Sequence, residues 1–163
     1  MKQLAMIVLV GMLLLVTAAP LAAAPPVLAD GEFTASVNFS TLTATPVGRN
    51  CRLEVNGTLV FSGTLEGATS GTTRALVFAP CAAVLANPPG SFRDIFRFTS
   101  DSAFPFTGRV NGVPTTATII YQGRTAVGGA IDGQVLLTGD VRGVLEVTAT
   151  VAVGGQYRGR ITH

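Results

Sequence analysis

From Gly31 onward, apolar and polar side chains alternate with a period of two. Phe33, Ala35, Val37 and Phe39 are separated by Thr34, Ser36 and Asn38; Leu145, Val147, Ala149, Val151 and Val153 are separated by Glu146, Thr148, Thr150 and Ala152. Successive strand side chains point to opposite faces, so this pattern predicts antiparallel strands with one buried and one polar face. Enrichment in Thr, Val and Phe agrees, because branched and aromatic side chains pack well on a pleated surface. Asn56-Gly57 and Asn111-Gly112 predict two-residue reversals, whose central positions must accept positive φ. Gly128-Gly129, Gly139-Asp140 and Gly154-Gly155 mark further reversals. The predicted strands are Glu32–Phe39, Cys51–Val55, Thr58–Glu66, Thr72–Phe78, Ser91–Thr99, Phe104–Val110, Val113–Gln122, Ala130–Thr138, Val144–Val153 and Gln156–Ile161. No segment after residue 30 has a helical period with caps, although Ala82 to Ala86 has room for one turn before Pro88-Pro89 stops it.

Eight to ten short strands joined by tight turns describe a meander, and a meander closes most economically on itself. The expected fold is therefore all-β, an antiparallel meander closing as a small soluble β-barrel of about eight strands. A two-sheet β-sandwich is the alternative. Gly63, Gly108, Gly133 and Gly159 would weaken flat strands but suit sharp bends in a small barrel. The Ala82–Gly90 connection, next to Cys81, is the natural place for a lid or an irregular loop. An outer-membrane barrel fits less well: several strands are short, there are two Tyr and no Trp to make aromatic girdles, and no aromatic residue ends the last strand.

The N-terminus has its own layout, with Lys2, an apolar run from Leu4 to Val16, then small residues and Pro20. This is the arrangement of a secretory signal peptide. Val27-Leu28-Ala29 fits the small-x-small cleavage rule, and Ala22-Ala23-Ala24 is a second candidate that Pro25 makes poorer. The expected division is a signal peptide over 1–29 and a single domain over 30–163. The competing reading is an uncleaved tether, since Leu4 to Ala24 approaches the ~20 residues that span a bilayer. Export places Cys51 and Cys81 in an oxidising compartment, where an even pair predicts a disulfide. Asn38-Phe39-Ser40 and Asn56-Gly57-Thr58 match the N-glycosylation pattern. The replacement of Lys by Arg after Lys2 has the look of a GC-rich bacterial genome, in which such sequons are coincidental.

Composition removes most familiar chemistry. Hydrophobic residues make up 48% and charged residues 12% of the chain, which argues against disorder. Beyond Ala29, ten Arg face nine Asp plus Glu, a net of +1, so no nucleic-acid partner is expected. The one His is the terminal His163, and there are two Cys. A multi-His metal site is thereby excluded, and a Ser–His–Asp triad is disfavoured. No metal or cofactor is expected, and no membrane partner once the leader is removed.

A Gly and aromatic layout recurs in Phe106-Thr107-Gly108, Tyr121-Gln122-Gly123, Gly128-Gly129 with Gly133, Gly143-Val144-Leu145 and Gly155-Gln156-Tyr157-Arg158-Gly159. Phe61-Ser62-Gly63 followed by Gly67 opens in the same way. Over residues 58–161 this resembles the allene oxide cyclase-like barrels, which include secreted bacterial relatives. The resemblance implies an eight-stranded antiparallel barrel with an interior cavity. It assigns no catalytic position in this sequence, and Cys51 and Cys81 are not part of the shared layout.

Asp94 is the most unusual candidate. Within Ser91–Phe98 its parity matches Phe92, Phe96 and Phe98. A carboxylate on a Phe-rich face has its pKa raised by desolvation, as a general acid or base requires; alternatively it pairs with an Arg, or a bulge shifts the parity. Glu146 lies with Thr148 and Thr150 on a polar face, which would line the lumen if the barrel were inverted there. Arg93 and Arg97 share a face and suit either an anion clamp or edge protection. Tyr121 has the parity of Val113, Ala117 and Ile119, a core ring whose hydroxyl reaches a rim or cavity. Phe33, Phe61, Phe96, Phe98, Phe106 and Tyr121 are expected to line an interior cavity or to pack the core. The expected function is thus an exported, disulfide-stabilised barrel with a binding or structural role, able to hold a small apolar ligand. The alternatives are a cofactor-free isomerase, cyclase or lyase using Asp94 or Glu146 with Tyr121, or a tethered cell-surface interaction protein.

Overall fold

The computed structural model describes residues 25–163, so Lys2, the apolar run and the tether reading of Leu4 to Ala24 lie outside the described residues. Nine strands and one short helix follow in chain order: β1 (Val27–Val47), β2 (Asn50–Gly63), β3 (Leu65–Val77), α1 (Cys81–Ala86), β4 (Asp94–Ser100), β5 (Phe106–Val110), β6 (Val113–Thr125), β7 (Ala130–Gly139), β8 (Arg142–Thr150) and β9 (Gly154–Thr162). Every pairing is antiparallel. The sheet runs β2-β1-β9-β8-β7-β6-β4-β3-β5, and β2 also pairs with β3. It therefore closes on itself through eight strands as one continuous sheet rather than the two facing sheets of a sandwich. The ring is not a regular barrel. β4 and β5 share the gap between β3 and β6, with β5 against Leu65–Ala68 and β4 against Gly71–Val77. A register shift between Asn38 and Thr43 further interrupts the β1–β2 ladder.

The inward residues are those of the period-two pattern, with Phe33, Phe98, Ile119, Tyr121, Val135, Leu145 and Val147 all buried. The Gly and aromatic layout also has a physical basis, because aromatic rings lie over glycines of neighbouring strands. An ideal Cβ on Gly133 would stand 2.9 Å from Tyr121 Cε2, and one on Gly67 would stand 3.1 Å from Phe106 Cε2. Each missing side chain leaves room for a ring that covers the bare backbone.

Several expected turns fall elsewhere. Asn56-Gly57 is not a reversal but the middle of β2, where Asn56 pairs with both Asn38 and Thr72. Gly57 serves instead as a close-approach site, since an added Cβ would lie 2.8 Å from the Ser36 carbonyl oxygen. The strands expected at Cys51–Val55 and Thr58–Glu66 consequently merge, and the reversal comes at Gly63 (φ 99°) and Thr64. Asn111-Gly112 does form its turn, with φ of 51° and 78°. The last reversal is at Val151–Val153, with Ala152 at φ 58°, leaving Gly154-Gly155 inside β9.

β1 begins before Asp30: Val27, Leu28 and Ala29 pair with Ile161, Arg160 and Gly159, and Ala29 is fully buried. A cut after Ala29 would remove the start of this strand, whereas a cut at the Ala22-Ala23-Ala24 candidate leaves it whole.

Candidate functional site

The two ends of the ring differ. At one end Phe61, Phe106 and Tyr157 pack edge to face, with Phe61 5.9 Å from Phe106 and 5.8 Å from Tyr157 between ring centres. Leu65, Val110, Leu137, Val141 and Ile161 complete this filled end. The Tyr157 hydroxyl donates to the Ser62 carbonyl at 2.9 Å and accepts from the Leu65 N–H at 2.8 Å, tying β9 to the β2–β3 reversal.

The other end is hollow. A cavity of about 380 Å³ opens between the mouth-side halves of the strands. Ala35 and Val37 of β1, Leu53 and Val55 of β2, Ala75 and Val77 of β3 form one wall, which Phe96 of β4 continues beside Ala75, with Ile131 of β7 and Ala149 of β8 from the far side of the ring. Ala35, Ala75 and Ala149 contribute small side chains to a lining that also carries the rings of Phe33, Phe96, Phe98 and Tyr121. β1 and β2 continue past the ring to the Gly48-Arg49 turn and so extend this wall outward.

A strap crosses the mouth. The chain from Cys81 to Phe92 carries α1 and then Pro88-Pro89, and its Val84, Leu85, Pro88 and Phe92 line the cavity. α1 has six residues, no buried residue and no side-chain cap, so it has little stability of its own. It is held by the Cys51–Cys81 disulfide to β2. Further along, the Gly128 N–H donates to the Gly90 carbonyl at 3.0 Å. The expected disulfide thus anchors the connection that crosses the mouth.

Several polar residues interrupt the apolar lining, and two of them are titratable, Asp94 and Tyr121. Asp94 is the first inward residue of β4 and is half-buried at the mouth. It shows neither a bulge nor an Arg partner: register with β6 is continuous from Asp94 to Thr99, and the Thr125 hydroxyl donates to Asp94 Oδ1 at 2.9 Å. Burial pushes its pKa up from 3.8 to about 6, the Thr125 hydrogen bond offsetting part of the rise. Tyr121 lies deeper on β6, its ring wedged edge-on between Phe96 at 4.9 Å and Phe33 at 5.7 Å. Among the described residues its hydroxyl is buried without any hydrogen-bond partner. Burial raises the phenol pKa, so the group stays a neutral donor.

The cavity unites Asp94, Tyr121, Phe33, Phe96 and Phe98 from the sequence expectation. It does not include Phe61 and Phe106, which sit in the filled end because their strand positions lie farther from the mouth. Glu146 is exposed on the outer, polar face of β8, opposite Gln134 and Arg158, and the inverted placement that would have lined the lumen does not occur. Arg93 and Arg97 are exposed, and Arg97 lies outside beside Arg74. Sequence reasoning missed the strap residues Val84, Leu85 and Pro88 and the wall from Leu53 to Val55. The strap has no strand periodicity, and the wall was read as ending at a turn. Among the described residues no group of three metal-ligating side chains comes together, and no helix is long and apolar enough to cross a membrane. Comparison of the chain with protein-family models and with curated protein sequences yields no match.

Proposed function

We propose that this is an exported binding protein whose hollow ring end holds a small apolar ligand beneath the disulfide-held strap. The observation that carries this reading is the cavity of about 380 Å³, walled by apolar side chains from most of the ring. That volume falls in the range of small-molecule sites. The disulfide supports an oxidising compartment, and the leader-like residues 1–29 support export. The resemblance of the Gly and aromatic layout to allene oxide cyclase-like barrels points to the same architecture with the same kind of interior.

A second reading, a cofactor-free isomerase or lyase, is favoured by the desolvated Asp94 carboxyl, whose pKa of about 6 suits a general base near neutrality. Binding is preferred because Asp94 and Tyr121 are not placed to act on one atom. The β6 partner of Asp94 is Thr125, four residues beyond Tyr121, or about 13 Å at 3.3 Å per residue. Phe96 stands between them in the inward row.

The test is native mass spectrometry of the protein exported by its own host, followed by denaturation. A mass increment lost on unfolding, with the released compound soluble in hydrocarbon solvent, is the expected result. A bare chain that also fails to take up hydrophobic probes would overturn the binding role. Turnover of the released compound by wild type but not by Asp94→Asn would establish the second reading instead.

A further inference from the structure

We infer that the ligand is an amphiphilic amine, an ammonium head on a hydrocarbon body, and that Asp94 at the mouth of the cavity holds the head. This rests on the binding reading above and specifies its chemistry. Strand parity puts Asp94 in the inward row with Phe96 and Phe98, and the residue lines the cavity. Its Oδ1 accepts from the Thr125 hydroxyl at 2.9 Å, while Oδ2 has no partner among the described residues. Among those residues the Tyr121 hydroxyl is the one partnerless side-chain polar atom sealed from solvent, so Oδ2 keeps accessible surface. The fold supplies no counter-charge. The ladder partners of Asp94 are Val77 and Thr125, the adjacent Arg93 is exposed, and among the described residues no Lys, Arg or His lines the cavity. Burial pushes the carboxyl pKa up to about 6, so near neutrality its charge costs stability, and folding alone does not account for its presence.

The chemistry of the missing partner follows from the charge. An ionised carboxylate only accepts, and a protonated amine offers Oδ2 both an N–H donor and the opposite charge. Half-burial strengthens that pair relative to water. Phe92 and Phe96, two positions to either side of Asp94, line the same cavity, and aromatic rings attract a cation over their faces. A bare metal ion would need several oxygen ligands, and among the described residues no group of three metal-ligating side chains comes together. An anionic head, such as a fatty carboxylate, would meet Asp94 with no cation to hold it. The body of the ligand lies against Phe33, Phe98 and Ile131. At about 30 Å³ per water-sized group, a cavity of about 380 Å³ takes on the order of a dozen heavy atoms.

The test uses n-decylamine and 1-decanol, which have equal numbers of heavy atoms, with decanoate as the anionic counterpart. Isothermal titration calorimetry gives the Kd of each at about pH 7.5, above the Asp94 pKa of about 6, for the disulfide-bonded wild type and for Asp94→Asn. Asn keeps an oxygen for the Thr125 hydroxyl and removes only the charge. The expected result is that wild type prefers the amine to decanoate, and that the substitution weakens the amine about tenfold or more while 1-decanol changes less than about threefold. In wild type, intermolecular nuclear Overhauser contacts should join the methylene next to nitrogen to Thr125, and the terminal methyl to Phe98. That measurement stands even if the variant fails to fold. An amine Kd unchanged by the substitution, decanoate bound as tightly as the amine, or a reversed orientation overturns the inference while leaving an apolar cavity in place. Failure of all three probes to bind wild type overturns the binding reading itself.

Discussion

Replacing Asp94 by Asn should stabilise the protein at neutral pH and do nothing at low pH. The carboxyl is half-buried at the mouth of an apolar cavity, and its pKa rises from 3.8 to about 6 in the folded state. A raised carboxyl pKa means that folding favours the protonated form. Between the two pKa values the unfolded chain binds fewer protons than the folded one, so stability falls as pH rises. The contribution is fully present below 3.8, is lost progressively up to about 6, and is absent above it. At about 1.4 kcal/mol per pH unit, the rise from 3.8 to about 6 corresponds to about 3 kcal/mol. Solvent reaches this carboxyl through the mouth, and screening reduces the figure to about 1–2 kcal/mol. Asn is neutral throughout and keeps an amide oxygen to accept from the Thr125 hydroxyl, so it removes the charge without removing the bond. The assay is urea denaturation of wild type and Asp94→Asn at intervals from about pH 3.5 to about pH 8, a window that brackets both pKa values. Other carboxylates are common to both proteins and cancel in the difference. The expected difference is near zero at the acid end and reaches about 1–2 kcal/mol by pH 7, with a Tm gain of about 3–8 °C. A difference that stays flat over that range would refute the placement of a desolvated carboxyl in the cavity.

Four further predictions concern the frame around the site. Tyr157→Phe should cost about 1–3 kcal/mol by thermal or urea denaturation, because it leaves the Leu65 N–H without its acceptor. Tyr121→Phe, which breaks no bond within the fold, should be neutral or slightly stabilising in the absence of ligand; equal losses in the two variants would contradict the contrast. The Cys51→Ala, Cys81→Ala double variant should lose about 3–4 kcal/mol for a closed loop of 30 residues, and amide exchange should quicken first in the Cys81–Ala86 helix. A chain starting at Asp30 should be about 1–3 kcal/mol less stable than one starting at Pro25, since it lacks buried Ala29 and three residues paired with β9; equal denaturation midpoints would show that the start of β1 is dispensable.

The local rules written in the chain were enough for the all-β class, the antiparallel pairing and the inward faces. Period-two alternation acts on each strand separately, and strand parity alone put Asp94, Phe96, Phe98 and Tyr121 on one face. The pairing of Cys51 with Cys81 was also legible, because two cysteines in an oxidising setting leave one intramolecular partner. Turn chemistry was less dependable. Asn56-Gly57 has the composition of a reversal, but the same missing Cβ serves to admit a neighbouring backbone, and which use applies depends on the strands that pack alongside. Only the tertiary structure decided that Phe61 and Phe106 fill one end and that the other end is empty. Volume at a given height in a closed ring is the sum of side chains from strands far apart in sequence, and no single strand encodes it. The partnerless hydroxyl of Tyr121 belongs to the same class of fact: parity sends the side chain inward, but whether a hydrogen-bond partner waits there depends on residues contributed by every other strand.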